Sequence, residues 1–430
     1  MRRILAVLFV LFLGSSCARG LNYNALEDYM AAGNCPLATR YIEEKEKSYG
    51  SNRKLLFLLD AAQINMLCGN YQKSNEYFHQ AEQLAEELWT KSITRETAAF
   101  IINDYTRPYA GEDFEKALIN LFSAINYLML GDYEEALVEC RRLDANLNMF
   151  NDKYERKNVY KEDAFGRYLS GMVYEAVHNL QDAYIDYYKA FNVFKDYQKN
   201  YGTPVPSLLV DDLLRVGEAV GRLDELKHEL DIDSIQWLSQ KKAEKLGKIV
   251  LIHFNGEAPV KEEDKIFVPT KHGPVTLAFP RFVVTPPSCR DSKLVVESES
   301  VNIEAETELV EDINSIAVKN LDDRKGRVVA KTIARAVAKQ AVVDAATKGI
   351  KSKAQRDLAK LIFNIANIAL ERADTRSWRT LPGEIYLTRV FLPEGRYNTY
   401  VRLCGGVKRP VETVEVKAGE TKFLLFETMY

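Results

Sequence analysis

The chain has 430 residues, 47% of them hydrophobic and 28% charged, with a formal net charge of -3. That much apolar sequence can bury a sizeable core and fill two or three domains. The near-neutral balance removes any electrostatic reason to expect nucleic acid as a partner, so a basic signal has to be local.

Arg2 and Arg3 precede an apolar run from Ile4 to Leu13, followed by Gly14-Ser15-Ser16-Cys17. About ten apolar residues are too few to cross a hydrocarbon core, which takes roughly twenty, so the pattern reads as a signal peptide over residues 1–17. Small residues before Cys17 resemble a bacterial lipobox, in which the thiol is acylated and becomes the new N-terminus. Gly14 stands where such motifs usually carry Leu. Cleavage after Ala18, with Ser16 and Ala18 as the small pair, is the alternative and would leave a soluble periplasmic protein. With an anchor at Cys17, Ala18 in place of Asp points, by resemblance to known lipoproteins, to the periplasmic side of the outer membrane.

The remaining cysteines, Cys35, Cys68, Cys140, Cys289 and Cys404, contain no CxxC and no Cys/His cluster, so no zinc or redox site is expected. One disulfide is open to an exported chain. Cys68 and Cys140 are expected to be buried free thiols on helices.

From 21 to 247, apolar residues recur at three and four spacing, which predicts helices. Gly69-Asn70-Tyr71 is followed by Ser74, Phe78 and Ala81; Gly131-Asp132-Tyr133 by Ala136, Cys140 and Leu143; His178-Asn179-Leu180 by Ala183, Tyr187 and Ala190. A small-polar turn reverses the chain, and a small residue on the second helix admits the first. This resembles the tetratricopeptide repeat; in the third copy Gly171 and Tyr174 also match its first helix. A fainter fourth copy lies around Gly221, Leu223 and Leu226. The turns at Gly69, Gly131, His178 and Gly221 are 62, 47 and 43 residues apart. The repeat's usual period is about 34, so insertions are expected, one of them at 101–116.

Near Lys248 the period changes to that of strands: 249–254, 266–268, 275–279, 282–284 and 301–305, punctuated by Pro269, Pro280, Pro286 and Pro287. Helical spacing returns at about 326–373, and strands resume from Ile385 with turns at Pro393-Glu394-Gly395 and Ala418-Gly419. The expected fold is a multidomain α+β chain. A TPR-like helical array over 21–247 precedes a β-sandwich-like module over 248–430 that carries an inserted helical pair.

No nucleophile elbow, phosphate loop, dinucleotide glycines, HExxH or EF-hand ladder occurs, so no catalytic residue, metal or cofactor is assigned. His79, His178, His228, His253 and His272 have no ligand spacing. Three segments stand out. Tyr105, Tyr109, Glu112 and Phe114 form an aromatic and acidic stretch entering a helix, readable as a binding loop; Glu112 and Glu115 suit a helix first turn and are also the residues a hydrolase reading would use. Asp374, Arg376 and Trp378 suggest an ion pair stacked on indole that fixes a junction. Between Arg324 and Lys360 there are eleven Lys and Arg against two acids. Arg327, Lys331, Arg335 and Lys339 make a basic stripe, with Val328, Val329, Ile333, Val337 and Val342 opposite. Such a helix can lie on anionic headgroups or stand as a solvated face. The helix 358–370, through Leu361, Ile362, Ile365 and Ile368, is its expected packing partner.

The mature chain as a whole is similar to an uncharacterised family of bacterial tetratricopeptide-containing envelope lipoproteins. The match is carried by Tyr109 to Glu115, Asn126-Tyr127-Leu128 with Gly131-Asp132-Tyr133, Pro280, Ala334-Arg335-Ala336, Ala373-Asp374 with Arg376-Ser377-Trp378, Leu381-Pro382, Arg389, and Leu392-Pro393 with Gly395. The resemblance implies an envelope location and a repeat domain followed by a mixed C-terminal domain, and brings no catalytic residues. The functional expectation is a non-enzymatic scaffold whose helical groove binds other envelope proteins or peptide segments. A lipid- or polysaccharide-binding protein using the basic helix at 327–339 and the β module is the alternative.

Overall fold

The computed structural model describes residues 21–94, 107–152, 159–231, 234–270 and 273–430. The signal peptide, Cys17, Tyr105 and His272 lie outside them. Helices come as antiparallel pairs: α1 (Tyr23–Ala31) with α2 (Cys35–Glu44), then, after the short α3 (Glu46–Tyr49), α4 (Lys54–Leu67) with α5 (Tyr71–Thr94). α6 (Asp113–Leu130) pairs with α7 (Tyr133–Asp152), α8 (Ala164–Ala176) with α9 (Leu180–Asn200), and α10 (Ser207–Ala219) with the short α11 (Leu223–Leu226).

One local device makes the reversal within each of the five pairs. Gly33, Gly69, Gly131, His178 and Gly221 sit in the left-handed region, with φ between 61° and 76°. At each, the residue's N–H bonds the carbonyl three back, and the next N–H bonds the carbonyl five back, as in Gly131 to Leu128 and Asp132 to Tyr127. The residue after the turn then starts the new helix: Asn34, Asp132 and Asn179 accept from the backbone N–H three residues on. The turn at Gly33 adds a pair that the repeat template did not include. It stands 36 residues before Gly69, close to the undisturbed period.

Close approach follows from small residues. Ser74, Ala136 and Ala183 are fully buried on the second helices, and a Cβ on Gly171 would lie 2.4 Å from the Tyr187 ring. Cys35 and Cys68 join two successive turns as a disulfide, which corrects the expectation of a free Cys68; Cys289–Cys404 is a second. Cys140 is the buried free thiol.

After α12 (Gln240–Ala243), β1 (Gly247–Glu257) lies in a sheet of order β10 (Thr421–Thr428), β1, β7 (Pro382–Leu392), β6 (Glu308–Asp312). β10 runs parallel to β1, and the other neighbours are antiparallel. A second sheet has the order β5 (Asn302–Glu306), β4 (Ser292–Glu297), β8 (Gly395–Leu403), β9 (Lys408–Val416). β2 (Val260–Thr270) and β3 (Gly273–Val283) form a separate hairpin. β3 continues through Pro280, where two strands were expected; a proline is tolerated because β3 has a strand neighbour on one side only.

β1 is apolar on both faces. Ile249 and Leu251 pack into the second sheet, while Val250, Ile252 and Phe254 join the helical core. The layers are helices, sheet, sheet. The helical face expected to stay open for a partner is therefore covered by the chain's own C-terminal half, because β1, β7 and β10 present apolar and charged groups that match it. Phe122 meets Phe254 edge-on at 5.4 Å, and Tyr133 donates to the Thr421 carbonyl at 2.7 Å.

The inserted pair is α13 (Ile313–Thr347) and α14 (Lys353–Leu370), set in the connection between neighbouring strands β6 and β7. α13 starts directly from β6, with Asp312 capping Ser315, thirteen residues before the expected start at Gly326. Its orientation is the reverse of that expected. Arg335 is buried and Lys331 and Lys339 half-buried, while Ile333, Val337 and Val342 face outward. Leu361 and Ile362 of α14 are likewise exposed instead of packed on α13; the side chains of Arg327, Ile365 and Ile368 lie outside the described residues.

Candidate functional site

The loop 107–112 enters α6 through a capping box: Glu112 accepts from the third helical N–H, and Glu115 Oε2 accepts from the Glu112 N–H at 2.9 Å. The Tyr109 hydroxyl donates to the same oxygen, and the Trp378 N–H donates to Oε1 at 2.8 Å. Glu115 is thus spent on structure, and burial pushes its pKa up. Phe114 points into the core against Phe282 at 6.2 Å. Glu112 turns to the other side and pairs with Lys261 of β2 and Arg324 of α13.

Arg376 forms a two-pronged pair with Asp374 at 2.8 and 2.7 Å, and donates to the carbonyls of Asn52 at 3.0 Å and Arg107 at 2.7 Å. Its guanidinium lies over Tyr109, 5.2 Å from the ring centre, so the ion pair forms but the expected indole stacking does not. Trp378 sits deeper, 1% exposed, edge-on to Phe78 and Phe122 at 5.9 and 5.7 Å.

Below Trp378 lies a network that the sequence reading did not include. The indole N–H donates to Thr380, whose hydroxyl donates to Asp60, and Asp60 also accepts from Tyr23 and Tyr49 at 2.7 Å each. Burial raises Asp60 to about 6 against these bonds. A second unread cluster joins helices to strands: Arg215 and Lys248 pair with Glu175 at 2.7 Å, and Arg389 pairs with Asp212 at 2.8 Å. Cations on both sides hold the carboxyl of Glu175 well below its usual range. His253 is a core histidine, bonded to Ser292 and Thr428 and held down to about 4 by burial. No residue type or spacing marked these groups, because their partners arrive from distant elements.

The three segments singled out in the sequence converge on one cleft of about 540 Å³. The loop supplies Arg107, Tyr109 and Glu112; β2 supplies Lys261; α13 supplies Arg324, Lys331 and Arg335; the linker to β7 supplies Arg372, Asp374 and Arg376. Lys339 stands behind this wall, where it and Arg335 pair with Glu371. Among the described residues, seven cations and two carboxylates line the cleft, beside apolar surface from Leu88, Pro280, Leu321 and Val328. Lys261, Arg335 and Arg376 are 5%, 3% and 6% exposed. Charges so placed act through less solvent screening than surface charges, and burial pulls the Lys261 pKa down against Glu115 and Asp374. The arrangement is chemically suited to holding negative charge. Among the described residues no group of His, Cys, Asp and Glu has the geometry of a metal site.

No protein-family model and no curated protein matches the chain. Among solved structures it is similar to a crystal structure of MamA, with 15% identity over 47% of this chain and 88% of that one at a TM-score of 0.29. It is also similar to a MamA RS-1 ArsTM double mutant, with 16% identity over 49% and 95% at 0.27.

Proposed function

We propose that this chain is a non-enzymatic interaction scaffold of the bacterial cell envelope, exported, tethered through an acylated Cys17, and engaging a partner protein through the outward face of the α13–α14 hairpin. The observation that carries the reading is that face. Ile333, Val337 and Val342 of α13 and Leu358, Leu361, Ile362 and Phe363 of α14 are 40% to 64% exposed. Seven large apolar side chains this exposed on one helical hairpin are the kind of surface that marks a contact with another molecule. The helical array itself is closed by the β module, so the partner surface moves from the expected groove to the inserted helices.

Two further features support the reading. Four of the buried carboxylates with shifted pKa values, Asp60, Glu115, Glu175 and Asp212, bond groups of the C-terminal half. That is the use expected of docking groups, not of an accessible acid or base. Disulfides between Cys35 and Cys68 and between Cys289 and Cys404 suit a chain that folds in an oxidising compartment.

A second reading, a membrane-surface contact, is favoured by exposed Lys348, Lys351 and Lys353 at the turn beside the apolar face. Photo-crosslinking amino acids at Val337 and Leu361, with Ile185 on the helical array as control, separate the two in intact cells. Adducts to one polypeptide at both test positions support the scaffold, and adducts to lipid support the membrane reading. No enrichment over Ile185 overturns both. The tether is tested by clickable palmitate: label lost in Cys17→Ser supports it, while an unlabelled mature chain beginning after Ala18 overturns it.

A further inference from the structure

We infer that the outer edge of β2 pairs antiparallel with the same edge of a second copy of this chain, joining two β2–β3 hairpins into one four-stranded sheet about a two-fold axis at Ile266. The pairing uses neither the cleft nor the outward face of α13–α14.

Prolines settle which backbone groups are free. In the β2–β3 ladder Pro269 faces Pro274 and Glu263 faces Pro280, in one continuous register. Along an antiparallel pair, residues that exchange N–H and C=O bonds with their opposite alternate with residues whose groups point away. A proline has no N–H to exchange, so both proline pairs belong to the second kind. Glu263, Lys265 and Phe267 share that parity and turn their N–H and C=O away from β3. On β3 the same parity falls on Pro274, Thr276, Ala278 and Pro280. That edge is blunted by two prolines, Thr276 and Ala278 are buried, and α13 and α14 pack against the strand. The edge of β2 has no such protection. Among the described residues β3 is its one strand neighbour, and an open row of N–H and C=O groups is a template for another strand.

The side chains favour a strand over a flat partner. Ile266 and Phe267 are 54% and 62% exposed. Adjacent in one strand, they project to opposite faces of the hairpin, so a partner laid on either face covers one of them. A strand set beside β2 touches both.

The occupant follows from self-complementarity. A two-fold axis at Asp264 or at Lys265 sets that charge against itself and puts Ile266 opposite a carboxylate, Glu262 or Asp264. An axis at Phe267 sets Lys265 against Pro269, which returns no N–H. With the axis at Ile266 the two isoleucines meet as a close non-hydrogen-bonded pair. Lys265 then exchanges both backbone bonds with Phe267 of the second copy, and Phe267 does the same with the other Lys265. No two charges stand opposite along the paired strands. Lys265 keeps its pairing with Glu263, and Arg281 keeps Glu262 and Asp264.

The test is sedimentation equilibrium of the full mature chain carrying Cys17→Ser. A monomer–dimer equilibrium with Kd of roughly 10–100 μM is expected, since the contact is smaller than a standard stable interface. Lys265→Pro removes an outward N–H and leaves the β2–β3 ladder whole, as Pro269 does. It is expected to weaken the dimer at least tenfold, through two symmetry-related hydrogen bonds, with the melting temperature unchanged. On mild oxidation Ile266→Cys is expected to give a disulfide-linked dimer and Phe267→Cys none, because residue 266 alone meets itself across the axis. A chain that stays monomeric to millimolar concentration overturns the inference. So does a dimer that a folded Lys265→Pro variant leaves unchanged, or one that Phe267→Cys traps as readily as Ile266→Cys. The two cysteine variants decide the same question should Lys265→Pro fail to fold. Crosslinking from Val337 and Leu361 reads a different surface, so either proposal can fail without the other.

Discussion

The backbone N–H of Trp378 donates to Oε1 of Glu115 at 2.8 Å, joining residues 263 positions apart. Through this bond the helix cap that begins α6 is also the seat of the linker that begins β7. Glu115 completes its own helix start and holds Tyr109 through Oε2 and receives the C-terminal half through Oε1, so separating the halves leaves one oxygen of a buried carboxylate without this donor.

Trp378→Ala is therefore expected to destabilise the fold by about 3–5 kcal/mol, the usual cost of removing a large aromatic from a core. Glu115→Gln is expected to cost about 1–3 kcal/mol, since an amide cannot serve all the donors around the carboxylate. Urea titrations of both singles and the double should give less than the sum, because the two residues share one network. Additive losses would show that they act independently.

Asp60 is raised from 3.8 to about 6 by burial. A carboxyl that holds its proton more tightly folded than unfolded contributes stability below its unfolded pKa, and that contribution is lost as pH rises through the folded value. Wild type should accordingly lose stability relative to Asp60→Asn between about pH 4 and pH 6. The change is on the order of 2–3 kcal/mol. Parallel denaturant midpoints across that window test it, and a pH-independent difference would contradict it.

Gly171→Ala should destabilise by about 1–3 kcal/mol, as overpacking does. The new Cβ would meet Tyr187, whose hydroxyl is held on Glu175 at 2.7 Å and cannot swing away. His178→Gly should do the opposite. It relieves a side chain at φ 61° and is expected to gain about 1 kcal/mol. A melting temperature that falls for His178→Gly would refute strain at the turn, and one unchanged for Gly171→Ala would refute the close packing on Tyr187.

Alkylation of the denatured, unreduced chain should modify Cys140 and spare Cys35, Cys68, Cys289 and Cys404, as read by peptide mass spectrometry. In the folded chain Cys140 should resist the reagent, because it is buried and burial pushes its thiol up. Removing the Cys35–Cys68 bond is expected to cost about 2–4 kcal/mol.

Four of the five helix reversals were legible because each has a left-handed residue just before the new helix, followed at three of them by Asn or Asp (Asn70, Asp132, Asn179). Gly33-Asn34 carries the same signal and stands at nearly the undisturbed spacing from Gly69. The junction at Asp374, Arg376 and Trp378 was visible as a cluster, but its aromatic partner was assigned within the segment when it is Tyr109. Arg335 of the basic stripe is buried, where sequence alone points the stripe to headgroups or solvent. Alanine fills so much of α13 that periodicity defines two faces without ranking them, and Glu112 and Glu371 from other elements decide which one is buried.

Residue order alone determined the features that depend on neighbours a few positions away: the paired helices, their turns, the change to strand periodicity near Lys248 and the basic character of α13. Tertiary structure decided what depends on groups meeting across tens to hundreds of residues: the sealing of the helical face by β1, the burial of Asp60 and Glu175 among distant partners, and the cleft formed from four separate elements. Local conformational preferences are set by nearest-neighbour sterics and hydrogen bonding, whereas the burial of a charge depends on which opposite charge the fold brings to it.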